Sequence, residues 1–374
     1  MSHNHPEGDV VDQIADPANP QIARDIRQHR PKIVAFIQAT FDALFVDEPG
    51  NFGLRLRFSC AAKVAALTEE AGLARFYLDA LESIGPLKKD AKAQALENAA
   101  FEHTMRVTTA PASCDQAALD ALHAVGMTEY EIVTLSQLIG YVSFQARLIL
   151  TVRALAGVER AEATTKSDPA NFVRHSGFTA EPIEWVSWLM PVDLATATPD
   201  QLAVLDESGP TARTSPYYLT LVHNPAVLRQ RSGTYNAIMY APGGLSRADR
   251  ELGALVVSTL NGCPYCASVH AQRLNQLTKE SDLVTRVFAD PLNGGANERE
   301  RELLRYARRL TLESGGFDVD DVTRLRSLGV SNGEILDYSH AVAIFAWANR
   351  LMQTLGAPIL PDQRDGGEAG AGHA

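Results

Sequence analysis

The chain has 374 residues, is 45% hydrophobic and 21% charged, and carries a formal net charge of −11. That length fits two domains of ordinary size, and the composition is that of a globular protein. The acidic balance argues against non-specific binding to nucleic acid or to an anionic membrane surface, since both need basic patches. No run of consecutive apolar residues reaches the ~18 of a membrane span, and the N-terminal MSHNHPEGDVVDQ has no apolar signal region. The four cysteines are too few for a disulfide framework, so the expectation is a cytoplasmic protein whose paired CxxC serves redox or metal chemistry.

Residues 1–20 read as a loose polar arm, with His3 and His5 solvated rather than ligating metal. Helical apolar spacing follows over 22–45, 54–67, 73–84, 91–107 and 117–125, and a long apolar helix over 131–154 closes the first half. Periodicity is lost over 156–181, which places a linker between a domain over 21–155 and another over 182–361. The second half opens with a loop, PVDLATATPDQ, leading into a short helix. Helical spacing over 216–240 is interrupted at Asn224-Pro225, and helices over 297–312, 319–328 and 332–355 complete it. The tail over 362–374 is glycine-rich and expected to be disordered. No alternating pattern marks a strand, so the expected fold is all-α.

The halves read as copies of each other. LHAVGMTEYEI (Leu122–Ile132) and LRSLGVSNGEI (Leu325–Ile335) align at an offset of 203 residues, which continues without a gap through Ser136/Ser339, Phe144/Trp347, Arg147/Arg350 and Leu148/Leu351. Gly126 and Gly329 suit a left-handed position after a helix, and Thr128 and Ser331 suit N-caps, with Glu131 and Glu334 closing a capping box. Carried backwards, the repeat matches Leu54–Leu81 to a helical hairpin in the second half.

That hairpin carries the chemistry. Ser246 is a candidate N-cap with Asp249 three residues on; Leu252, Leu255, Val256 and Thr259 form a buried stripe. Asn261-Gly262 breaks the helix, and a second helix begins at or near Cys263. Glu251 and His270 lie about ten and eight residues from the turn, hence roughly 12–15 Å from it on antiparallel helices and side by side. Cys263 and Cys266, and Cys266 and His270, share a helix face. Helix N-termini lower thiol pKa values and a nearby histidine accepts the proton, so the set suits thiol chemistry. The helix-terminal position favours Cys263 as the more acidic thiol; proximity to His270 favours Cys266. The first copy has Thr68–Leu73 and Phe76-Tyr77 in the corresponding places and is expected to be structural.

Other readings stand beside this one. CPYC is also a glutaredoxin dithiol, but there it follows a strand. Two cysteines, a histidine and Glu251 would supply four zinc ligands, at a spacing that matches no common finger. Cys60 reads as a buried small residue and Cys114 as a loop thiol. His103, His223 and His340 read as packing or surface histidines, and Tyr338 and Trp347 as core.

The pattern E-x11-C-x2-C-x3-H, within LSRADRELGALVVSTLNGCPYCASVH and after YYLTLVHNPAVLRQRSGTYNAIMY, resembles the AhpD-like alkylhydroperoxidases of the carboxymuconolactone decarboxylase (CMD) superfamily. The resemblance covers roughly 182–360; over 9–155 it is to a CMD-like domain without the cysteines. It implies two fused all-helical domains and a thiol-dependent peroxidase acting on organic hydroperoxides. In that scheme Cys266 is the peroxidatic thiolate and Cys263, on the turn side and more exposed, resolves the sulfenic acid as a disulfide. His270 takes the Cys266 proton and Glu251 orients His270. No bound cofactor or metal is implied; an external dithiol, whether dihydrolipoamide, thioredoxin-like or glutathione-linked, acts as reductant. A homo-oligomer is expected, with a trimer of two-domain chains as the first guess. Tyr265 stands where some members have histidine. The alternatives are a dithiol–disulfide oxidoreductase without peroxide activity and a non-enzymatic redox sensor or scaffold.

Overall fold

A computed structural model describes residues 9–48, 50–85, 90–159 and 172–361. The expectations for residues 1–8 with His3 and His5, for 160–171 of the linker and for the tail 362–374 lie outside the described residues. The first half consists of α1 (Val10–Ala15), α2 (Pro20–Arg27), α3 (Pro31–Leu44), α4 (Leu54–Leu67), α5 (Ala71–Ser83), α6 (Ala91–Thr109), α7 (Gln116–Ala124) and α8 (Glu129–Leu155). The second runs β1 (Glu184–Ser187), α9 (Pro199–Ser208), α10 (Pro216–Leu221), α11 (Pro225–Met239), α12 (Arg247–Leu260), α13 (Pro264–Thr278), α14 (Asp282–Ala289), α15 (Glu298–Leu312), α16 (Val319–Ser327), α17 (Asn332–Thr354) and β2 (Gly356–Ile359). The fold is all-α, as expected.

Four local expectations are corrected. The arm is ordered from Asp9 onward: Val10, Val11, Ile14 and Ala15 are buried, and buried Arg27 donates to Asp9 and, at 2.5 Å, to Asp12. One and a half turns are too short for a period to show among polar neighbours. The single helix expected over 22–45 is two, because Pro31, lacking an N–H, takes the first position of α3. A short helix, α14, lies unforeseen between the hairpin and α15. Finally, β1 and β2 pair antiparallel, Glu184 opposite Ile359, with the Trp185 indole N–H donating to the Met352 carbonyl at 2.9 Å. Strands this short, one carrying Gly356 and Pro358, show no alternation.

The internal repeat is visible as structure. Helices α4, α5, α6, α7 and α8 recur in order as α12, α13, α15, α16 and α17. Both predicted capping boxes form, Thr128 with Glu131 and Ser331 with Glu334. The hairpin turns match as well: Glu69 holds φ +58° where Gly262 holds +64°. That alignment sets Glu70, Leu73, Tyr77 and Phe58 of the first half where the second has Cys263, Cys266, His270 and Glu251.

The most extensive helix contact is α8 against α17, and one hydrophobic core runs through both halves across it. Gly140 permits the approach: a Cβ there would lie 2.1 Å from Trp347 Cδ1. The Trp347 indole donates to Gln137 Oε1 at 2.9 Å, so Trp347 is core, as is Tyr338. The offset pair Arg147 and Arg350 works reciprocally. Arg147 donates to the Thr311 carbonyl at 3.0 Å and Arg350 to that of Thr108 at 2.6 Å, each from one half into the other. By length and composition α8 could cross a membrane, but 94% of its apolar window is buried inside the protein, so it is packed as a core helix.

Candidate active site

The site is built on α12 and α13, with α10, α11 and α17 around it. Ser246 caps α12 through the Asp249 amide. The helix ends at Asn261, and Gly262, with positive φ, reverses the chain so that Cys263 becomes the N-cap of α13 and Pro264 its first residue. A Cβ on Gly262 would fall 2.6 Å from the His175 ring, so the backbone both turns and passes close to 172–181, which lies across the hairpin.

Antiparallel packing brings Glu251 and His270 together as the spacing requires, Glu251 Oε2 lying 2.5 Å from His270 Nδ1. Arg247, one turn before Glu251, donates from Nε to Oε1 at 2.7 Å and stacks its guanidinium 4.2 Å above the Tyr240 ring. Burial raises the Glu251 pKa, but the hydrogen bonds and charges of His270 and Arg247 outweigh it and set the carboxyl below its usual range. An ionised Glu251 accepts from Nδ1–H and leaves Nε2 as the basic ring nitrogen. Phe345 of α17 packs its ring edge-on to the imidazole at 4.4 Å and fixes its plane.

Both site cysteines are unbridged and buried. Cys263 is the more enclosed, 1% exposed against 4% for Cys266, which reverses the expectation that the turn-side cysteine is more open. The N-cap position tucks it beneath α17, where it faces Asn349, itself bonded to Ser258 at 3.1 Å and to Asn261 at 3.0 Å. Burial pushes the Cys263 thiol well above its ordinary pKa, a charge on Cys266 would push it further, and the Asn349 amide offsets part of this. Desolvation therefore outweighs the helix terminus at Cys263.

Sequence reasoning missed four residues here: Tyr217, Arg231, Tyr235 and Asn349. Arg231 of α11 is buried with its guanidinium 5.4 Å from the Tyr217 ring centre and 5.5 Å from that of Tyr235. Tyr235 in turn meets Phe345 at 6.1 Å, linking α11 to the histidine's packing partner. Nothing in the sequence around these four residues set them apart from other polar and aromatic residues on helices.

The remaining candidates lie elsewhere. Cys60 is enclosed in α4 with its thiol pushed up to about 12 by burial; Cys114 follows the turn at Pro111–Ser113 with its thiol raised to about 11 for the same reason. His103 faces Thr354 at 3.2 Å, His223 the Met190 carbonyl at 2.8 Å, and His340 is core. Among the described residues no three His, Cys, Asp or Glu side chains are arranged to hold a metal ion. A cavity of about 610 Å³ abuts the hairpin turn at Leu260 and Asn261, and another of about 490 Å³ lies between α4 and α6; neither is walled by the four hairpin residues.

Compared with known proteins, residues 225–309 match the model of the Carboxymuconolactone decarboxylase family. No curated protein matches the chain. A solved structure described as an alkylhydroperoxidase AhpD core, an uncharacterized peroxidase-related protein from Ralstonia eutropha JMP134, is 26% identical at a TM-score of 0.41, over 46% of this chain and 90% of that one. The matched segment holds α11 through most of α15 and with them Glu251, Cys263, Cys266 and His270.

Proposed function

We propose that the protein is a thiol-dependent peroxidase that reduces organic hydroperoxides through Cys266 and Cys263. The observation that supports this most is the Glu251–His270 contact at 2.5 Å, because it supplies an oriented base on the same helix face as Cys266. His270 Nε2 takes the Cys266 proton, and the thiolate attacks the terminal peroxide oxygen. The O–O bond breaks, the alcohol leaves with that proton, and Cys266 becomes a sulfenic acid. Cys263, kept protonated by burial until then, attacks the sulfenic sulfur; water leaves and a disulfide forms. An external dithiol restores both thiols by exchange. Decarboxylation would give the cysteine pair no step to perform. The first half, with Glu70, Leu73, Tyr77 and Phe58 at the matching places, serves as the scaffold against which α17 is held, and the chain works as a homo-oligomer.

Stopped-flow oxidation of the reduced protein by cumene hydroperoxide tests this reading. Wild type should react far faster than a free thiol and Cys266→Ser not at all. If wild type matches a free thiol yet exchanges readily with lipoamide or glutathione disulfide, it is a dithiol oxidoreductase instead.

A further inference from the structure

Two side chains one turn apart on α17, Asn349 and Gln353, grip the hairpin turn that presents Cys263. Asn349 donates from Nδ2 to Ser258 Oγ at 3.1 Å and accepts from Asn261 Nδ2 at 3.0 Å. Gln353 donates from Nε2 to the Asn261 carbonyl at 2.9 Å and to the Gly262 carbonyl at 2.7 Å, while its own buried Oε1 accepts nothing. Ser258 also takes the Cys263 N–H on its carbonyl at 2.8 Å, so these bonds close around the backbone of that one cysteine. The turn does not need the grip in order to form. In the first half the Glu69 and Glu70 amides bond the Ala66 and Ala65 carbonyls at 3.1 and 3.0 Å, just as those of Gly262 and Cys263 bond Thr259 and Ser258. Yet at the offsets of the repeat, Ala65, Ala146 and Leu150 stand where the second half has Ser258, Asn349 and Gln353. There a side chain anchors the turn instead: Arg153 donates to the carboxylate of Glu70, the residue matching Cys263, at 2.7 and 2.9 Å. A cysteine whose sulfur must stay free to change partners cannot be held in that way.

We propose that Asn349 and Gln353 are positioning residues for the dithiol, holding Cys263 by its backbone within reach of Cys266 while leaving its sulfur free. Cys263 is the N-cap of α13 and Cys266 its third residue, so a shift of the turn changes the separation of the two sulfurs directly. Asn349 and Ser258 are fully buried, and a bonded amide away from water is held more rigidly than one that can exchange its partners for solvent. A turn already fixed in the reduced protein has less motion to lose when the S–S bond closes, which raises the effective concentration of one sulfur at the other.

The inference rests on Cys263 and Cys266 closing on each other but needs no peroxide, so its test is separate from the peroxidase assay. The full-length protein is equilibrated with mixtures of reduced and oxidised glutathione, quenched with acid, and its Cys263–Cys266 disulfide quantified by peptide mass. Protein dithiol and glutathione disulfide give protein disulfide and two glutathione thiols, so the equilibrium constant is itself an effective concentration. Asn349→Ala and Gln353→Leu, which install the first-half residues, should each lower it by about tenfold or more. Gln353→Lys can still donate to two carbonyls at a helix end and should stay within about threefold of wild type. Gln353→Glu has the same shape but cannot donate once ionised and should fall as the leucine variant does. That pair decides the matter if the alanine or leucine variant does not fold, because a general loss of packing would not sort lysine from glutamate. Coincident constants for Gln353→Lys and Gln353→Glu would overturn the proposal, whereas a wild type that forms no Cys263–Cys266 disulfide at any ratio would overturn the dithiol reading as well.

Discussion

Glu251→Gln probes the site through a single atom. The carboxylate now serves two donors, Arg247 Nε on Oε1 at 2.7 Å and His270 Nδ1 on Oε2 at 2.5 Å. A glutamine has one acceptor oxygen to offer. Arg247 cannot accept a hydrogen bond, so the amide oxygen must face it and the NH₂ must face His270. Nδ1 then has to accept, the ring proton moves to Nε2, and the nitrogen needed to deprotonate Cys266 is blocked. Loss of a general base costs about 10²–10⁴ in rate, or roughly 3–5 kcal/mol of barrier. We expect peroxide oxidation of Cys266 to fall at least about 100-fold in stopped-flow measurements, while far-UV circular dichroism stays that of wild type. A folded Glu251→Gln protein within threefold of wild type would refute the relay.

Gly140→Ala tests the crossing that holds α17 over the site: with Trp347 Cδ1 only 2.1 Å from the new Cβ, urea unfolding should show a loss of about 1–3 kcal/mol, and an unchanged midpoint would mean the helices do not approach so closely. Acid stability follows from two enclosed histidines, since burial lowers His103 to about 4 and His340 to about 3. The unfolded chain takes up those protons near pH 6.5 while the folded one refuses them. Stability should therefore fall as pH drops from about 6.5 towards 4, by up to about 1.4 kcal/mol per pH unit for each histidine. Urea titrations of wild type and of His103→Asn/His340→Asn across that range should differ in slope, and parallel curves would contradict the burial of both rings.

Most of the frame was legible because it rests on local rules. The caps at Thr128, Ser246 and Ser331 and the break at Asn261-Gly262 each need only a few neighbouring residues. The Glu251–His270 pairing was legible for a related reason: two helices joined by a tight turn convert sequence distance from the turn into height along the pair. What escaped depends on the third dimension. Asn349 reaches Cys263 from a helix far along the chain, and Arg231 lies buried against Tyr217 and Tyr235; nothing near either one sets it apart from other polar residues on amphipathic helices. The exposure of Cys263 was misjudged because a turn was equated with surface, whereas α17 roofs this one. The strands β1 and β2 lacked enough residues to show a period.

Chemical trapping on Cys263→Ser puts the account to its sharpest test. Reduced Cys263→Ser protein is treated with one equivalent of cumene hydroperoxide in the presence of dimedone and mapped by peptide mass. The account predicts a single dimedone adduct on Cys266, because its sulfenic acid forms and finds no resolving thiol. An adduct absent from Cys266, under conditions in which wild type still forms the Cys263–Cys266 disulfide with an added disulfide such as oxidised lipoamide, would contradict it and leave dithiol exchange as the activity of this site.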